Sequence, residues 1–205
     1  MEEAFEQVFG PGNALKDIEM AGRTDPSILK EALKNLGLEW TFEKQTLFMD
    51  IYFEILEENM KKPKPGKRLC PGIEALLTKL EADSDIVLGL LTGNWRYGSY
   101  LKLRHFQIDQ YFSIGAFSDD SEFRNELVPF AVERFAKEYG CAIESHNVYV
   151  IGDTPKDIAC ARPHHAQSVA VATGFHDMQT LKAEKPDYVF ENLENTEAVY
   201  RILTA

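Results

Sequence analysis

The segment that most restricts how this chain can fold is NVYVIGDTPKDIACAR, residues 147–162. Val148, Tyr149, Val150 and Ile151 form a β-branched and aromatic run of the length expected for a buried parallel strand. The run stops at Gly152, so Asp153 falls just past the carboxyl end of the strand, the edge where open α/β sheets bind their ligands. Pro155 suits the first turn of a helix, and Asp157, Ile158, Ala161 and Arg162 continue at helical spacing. Two carboxylates at one crevice suit Mg²⁺, a hard cation that keeps several waters and completes its shell with substrate phosphate. The same residues also fit a purely local role, with Asp153 or Thr154 capping the helix and Asp157 as a first-turn acid favoured by the helix dipole.

Residues 86–94, IVLGLLTGN, repeat the design: an apolar run ends in Thr92, Gly93 and Asn94, and a helix-like stretch follows through Tyr100, Leu101 and Leu103. A hydroxyl beside free backbone amides at a helix start makes a phosphate cradle, although Thr92 alone also reads as a helix cap. Between the two strands lies DDSEFRNELVPF, residues 119–130, which sets Arg124 in a polar loop ahead of a helix expected to begin near Glu126. A guanidinium there would neutralise an oxyanion, or would be one more solvated surface charge.

With these segments in this order, the chain resembles the haloacid dehalogenase superfamily, in particular its phosphoglycolate phosphatase-like branch. LLTGN is similar to the family's second motif, Arg124 stands where the third-motif Lys or Arg falls, and GDTPKD resembles the fourth. LCPGIEALLTKL at 69–80, KLRHFQIDQYF after the second motif and KPDYVFENL near the end extend the likeness along almost the whole chain. The resemblance implies a Rossmann-like parallel sheet with a small α-helical cap, and a Mg²⁺-dependent phosphatase of small phosphomonoesters working through an aspartyl-phosphate. Asp153 and Asp157 would hold the metal, Arg124 and Asp153 would serve catalysis, and Thr92, Gly93 and Asn94 would bind the phosphate. In the family a segment like GRTD lies on the cap facing the active site, which makes Arg23 a substrate-contact candidate. A phosphomutase shares the same core, whereas the dehalogenase branch does not rely on the metal-binding acid pair.

The family's first motif, a strand ending Asp-x-Asp-x-Thr that carries the nucleophile and the general acid, has no counterpart in these residues. MEEAFEQVFG resembles the first cap helix that normally follows that strand. Asp83-Ser84-Asp85 has the spacing but precedes a strand, so it is expected to be a turn. The central strand of the family sheet is therefore expected to be missing, its two neighbours facing each other across a gap. A natural protein extending upstream of Met1 and a catalytically inactive phosphate- or partner-binding protein are the two expectations that follow.

The remaining sequence divides into a helical cap, residues 1–64, and an α/β core, residues 65–205. Ala4, Phe5, Val8 and Phe9 form one apolar face and Leu47, Phe48, Ile51, Tyr52 and Ile55 another. Between them Asp25 reads as an N-cap, Pro26 as the first helical residue and Gly37 as the stop. KKPKPGKR at 61–68 reads as a stiff hinge between cap and core. Core strands are expected near 86–91, 113–117, 147–151, 168–172 and 187–190, alternating with helices as in a doubly wound parallel sheet.

A net charge of −11 and a pI near 4.9 argue against nucleic acid or an anionic membrane as partner, so a small phosphorylated metabolite is the expected ligand. Cys70, Cys141 and Cys160 show no metal-type spacing and read as reduced thiols. With no signal peptide and no apolar run near the roughly 20 residues of a membrane span, a cytoplasmic location is expected.

Overall fold

The computed structural model describes residues 1–63 and 67–205. The expected domain boundary between residues 64 and 65 therefore lies outside the described residues, as does the middle of the expected hinge. Three helices come first: α1 (Glu2–Phe9), α2 (Asp25–Asn35) and α3 (Phe42–Lys61). Their apolar stripes close on one another through Ala4, Phe5, Leu29, Leu33, Phe48 and Tyr52, all buried. In α3 the buried stripe runs along Phe48 and Tyr52, so Leu47, expected to pack, faces solvent. Thr41 caps α3 by accepting from the Lys44 N–H at 3.2 Å.

The second part alternates as expected: α4 (Ile73–Glu81), β1 (Gly89–Leu91), α5 (Arg96–His105), β2 (Ile114–Ala116), α6 (Leu127–Tyr139), β3 (Tyr149–Gly152), α7 (Pro155–Ala161), β4 (Gln167–Val171), α8 (Met178–Ala183), β5 (Tyr188–Phe190) and α9 (Thr196–Leu203). Every ladder is parallel, as alternation with helices requires. The strands fall into two sheets, β1–β2 and β3–β4–β5, and no ladder joins β1 to β3 among the described residues. Asp83 and Asp85 form the expected turn before β1, with the Asp83 carboxylate accepting from the Asp85 N–H at 3.0 Å.

The run at 148–151, expected to be a buried parallel strand, is buried only in part. Val150 is buried, but Ile151 is 40% exposed, because β3 is an edge strand with β4 as its partner. In the other sheet β1, with β2 as its partner, has an exposed Gly89 and half-buried Leu90 and Leu91. In contrast β4, flanked on both sides, is buried from Ser168 to Val171.

The helical layer and the α/β layer share a core residue. Trp95, from the loop after β1, is 1% exposed and enters the aromatic cluster of the first three helices. Its ring centroid lies 6.1 Å from Phe48, 5.8 Å from Tyr52 and 6.0 Å from Phe53. Burying an indole there fastens the loop after β1 to the helices above it.

Candidate active site

Three loops leave the carboxyl ends of β1, β2 and β3, and one stretch of the helical layer, residues 21–25, touches all of them. The Asp25 N–H donates to the Gly93 carbonyl at 2.7 Å. The Thr24 hydroxyl donates to the Glu122 carbonyl at 2.5 Å, and Lys30 pairs with the Glu122 carboxylate at 2.7 Å. Ala21 offers its carbonyl to the Lys156 amine at 3.2 Å. The approach is tight enough that a Cβ on Gly93 would run into the Arg23 carbonyl, and one on Gly22 into the Thr154 hydroxyl. The expected order of motifs in sequence thus becomes one cluster of loops under a common strap.

The loop after β3 is organised by Asp157. Its Oδ2 accepts from the Thr154 N–H at 3.0 Å and from the Thr154 hydroxyl at 2.8 Å, and its Oδ1 pairs with Arg124. The acid is buried and engaged on both oxygens, so it acts as the first-turn acid of α7 and as the counter-ion of Arg124. Arg124 in turn is held by its backbone, whose carbonyl accepts from the Cys160 thiol at 3.2 Å. Burial pushes that thiol up to about 11, so it stays protonated. The Nε of Arg124 is buried without a hydrogen-bond partner among the described residues.

Asp153 differs from its neighbour. Burial, and then the Asp157 carboxylate beside it, raise its pKa above the ordinary carboxylate value. A half-buried carboxylate facing a second one is the environment in which a bound cation is favoured. No group of three or more His, Cys, Asp or Glu is arranged for a metal among the described residues. Mg²⁺ needs only one or two protein carboxylates beside water and phosphate, so Asp153 is compatible with that ion while Asp157 is spent on Arg124 and Thr154.

The loop after β1 is held from outside. Thr92 accepts from the Asn94 N–H at 3.1 Å, shaping the turn. The Asn94 side chain is occupied at both ends: its oxygen accepts from Lys102 at 2.7 Å and its amide donates to Asp25 at 3.3 Å. Asp25 also accepts from the Trp95 N–H at 2.9 Å. The expected N-cap role of Asp25 is therefore corrected: Thr24 is the residue flanking α2, and the Asp25 carboxylate crosses to the neighbouring loop instead. Burial pushes the Asp25 carboxyl up and the Lys102 amine down, while each pulls the other back toward its charged form.

Arg23 does not join this cluster with its side chain. Its guanidinium pairs with Glu31 at 2.5 Å and donates to the Ser27 carbonyl at 3.0 Å, both on α2. Of the expected residues, the structure groups Thr92, Gly93 and Asn94 in one loop and Arg124, Asp153 and Asp157 around another, with the Arg23 backbone between them.

A profile described as haloacid dehalogenase-like hydrolase matches residues 4–171. The chain belongs to this family. A phosphoglycolate phosphatase from Synechococcus elongatus is 30% identical over 130 residues, which is 62% of this chain and 57% of that protein. The chain spans a little over half the length of the curated relatives it matches. A hydrolase from Pseudomonas syringae superposes with a TM-score of 0.68 at 19% identity, covering 97% of this chain and 87% of the other. A beta-phosphoglucomutase from Clostridium difficile superposes with a TM-score of 0.69 at 18% identity, covering 98% and 88%. At such identities the two structures speak for the shared fold, which agrees with the parallel α/β core and its helical layer. Among the described residues no helix is long and apolar enough to cross a membrane.

Three site residues of this haloacid dehalogenase-like chain escape the sequence pattern. Asp25 looks like a cap, and Lys102 looks like a surface lysine on α5. Ser118 is buried beside the Asn94 loop, its hydroxyl without a partner among the described residues and its N–H donating to the Asn94 carbonyl at 3.1 Å. The only sequence signal for Ser118 is its place just after an apolar strand.

Proposed function

We propose that the cluster is the phosphate end of a Mg²⁺-dependent phosphatase acting on small phosphomonoesters. The observation that carries the reading is the strap of residues 21–25, which touches the Gly93, Glu122 and Lys156 loops at once. Two buried polar groups without partners among the described residues, Arg124 Nε and Ser118 Oγ, are what a phosphate would satisfy. Thr92 and the backbone of Gly93 would hold phosphate oxygens, with Arg124 offsetting their charge. Asp153 would hold the Mg²⁺, which when bound would polarise the phosphoryl group.

Phosphoryl transfer through an enzyme carboxylate needs a second acid to protonate the leaving alcohol. The other strand-end acids are engaged: Asp119 accepts from the Arg96 N–H at 2.6 Å, Asp120 pairs with Arg134 at 2.6 Å, and Asp157 pairs with Arg124. In this reading the nucleophile and the acid arrive on an extended strand lying parallel between β1 and β3, which share no ladder among the described residues. The engaged acids favour one second reading, a protein that binds phosphate without turnover. The test is to fuse a strand ending Asp-x-Asp-x-Thr ahead of Met1 and follow phosphate release from p-nitrophenyl phosphate. Mg²⁺-dependent release that disappears when the first Asp of the added strand becomes Asn supports the phosphatase. Binding of inorganic phosphate with no release in the extended chain supports the second reading.

A further inference from the structure

An open cavity of about 600 Å³, broad at its mouth, lies between residues 15–21 of the helical layer and the loop that follows β4. Its lining includes Ile18, Met20 and Ala21 on one side and Phe175 and His176 on the other. The cavity adjoins the candidate site through both walls. The Ala21 carbonyl receives the Lys156 amine, and Gly174, next to Phe175, packs so closely on the Asp153 carboxylate that a Cβ there would overlap it. A group attached to a phosphate beside Asp153 would extend into this space, whose size is that of a small-molecule site.

Two large apolar side chains stand in water at this one cavity: Phe175 is 96% exposed and Met20 is 40% exposed. Its rim carries the charged residues Lys16, Glu2 and Glu19, with more acids than bases. A second anionic group on the ligand would meet acids as well as bases and gain no net attraction. A small polyol would leave the Phe175 ring and the Met20 thioether uncovered. A flat apolar group would cover both, since aromatic faces and methionine sulfur both pack well against rings.

We infer that the cavity receives the organic part of the phosphomonoester, and that this part is an uncharged aromatic or similarly flat apolar group seated against Phe175 and Met20. The inference rests on the phosphate-binding reading above and adds the substrate class to it. Both side chains are exposed, so replacing them leaves the fold intact and isolates the contact.

The test is calorimetric titration of the chain, in Mg²⁺, with inorganic phosphate, phenyl phosphate and phosphoglycolate. Phenyl phosphate is expected to bind about tenfold tighter than inorganic phosphate, and phosphoglycolate no tighter than inorganic phosphate. Phe175→Ala and Met20→Ala are each expected to weaken phenyl phosphate by about three- to fivefold and to leave inorganic phosphate unchanged. Equal binding of phenyl phosphate and inorganic phosphate, or preference for phosphoglycolate, overturns the inference and leaves the phosphate site standing. Failure of all three ligands to bind overturns both.

Discussion

The loops after β1 and β3 leave the same kind of strand end and are held in opposite ways. The loop after β3 is self-contained: Asp157 reaches back three residues to Thr154, and its distant partner is Arg124. The loop after β1 depends on residues far away in sequence, with Asp25 crossing from α2 to Trp95 and Asn94, and Lys102 bracing the other end of the Asn94 amide. The bonds of Asp157 use no residue of the helical layer, whereas those that hold the β1 loop start from Asp25 on α2. Contact between the two layers is thus built into the loop after β1, and Trp95 in the aromatic cluster gives it a large apolar anchor.

This contrast can be broken most directly at Asp25. Asp25→Ala strips the Trp95 N–H and the Asn94 amide of their acceptor and leaves Lys102 facing a neutral amide, which is expected to cost about 3 kcal/mol in urea unfolding. A cost below about 1 kcal/mol would mean that the β1 loop holds itself after all. Asp157→Ala is expected to cost less, roughly 2 kcal/mol, and Asp157→Asn should recover part of it because an amide oxygen can still accept from Thr154. If the Asn variant is as weak as the Ala variant, the Arg124 pair matters more than the local bonds, and the β3 loop is less self-contained than described.

The smallest effect is expected at Asp153. Its folded pKa lies above the unfolded value, so the native state binds the proton more tightly, and stability is lost as pH rises through that interval. Asp153→Asn removes the loss: the variant should be more stable than the parent at neutral pH, by less than about 1 kcal/mol because water screens a half-exposed carboxylate. The difference should vanish below about pH 3, where both unfolded and folded carboxyls are protonated. Millimolar Mg²⁺ should narrow it from the other side, by favouring the charged carboxylate. Thermal unfolding across pH, with and without the ion, reads all three.

Much of the fold is legible in the sequence. The centres of all five strands, the first-turn position of Pro155 and the turn at Asp83–Asp85 follow from local pattern, because each is decided by neighbours within a few residues. Strand ends are less legible. The run 86–91 pairs only over Gly89–Leu91, because its partner β2 is three residues long. Arg23 shows the limit at the site: its charge and its place in GRTD point toward substrate, while the fold gives its guanidinium to Glu31 and its backbone to the Gly93 loop.

By itself the sequence determined the alternation of strands and helices, the family and the set of polar residues delivered to strand ends, because periodicity and turn chemistry act over short distances. Only the tertiary structure decided which of those polar groups are spent on one another. Asp157 and Asn94 are occupied by Arg124, Lys102 and Asp25, while Asp153 keeps a raised pKa. The reason is physical: a buried charge must find a partner, and which partner is within reach is set by how the layers pack, not by spacing along the chain.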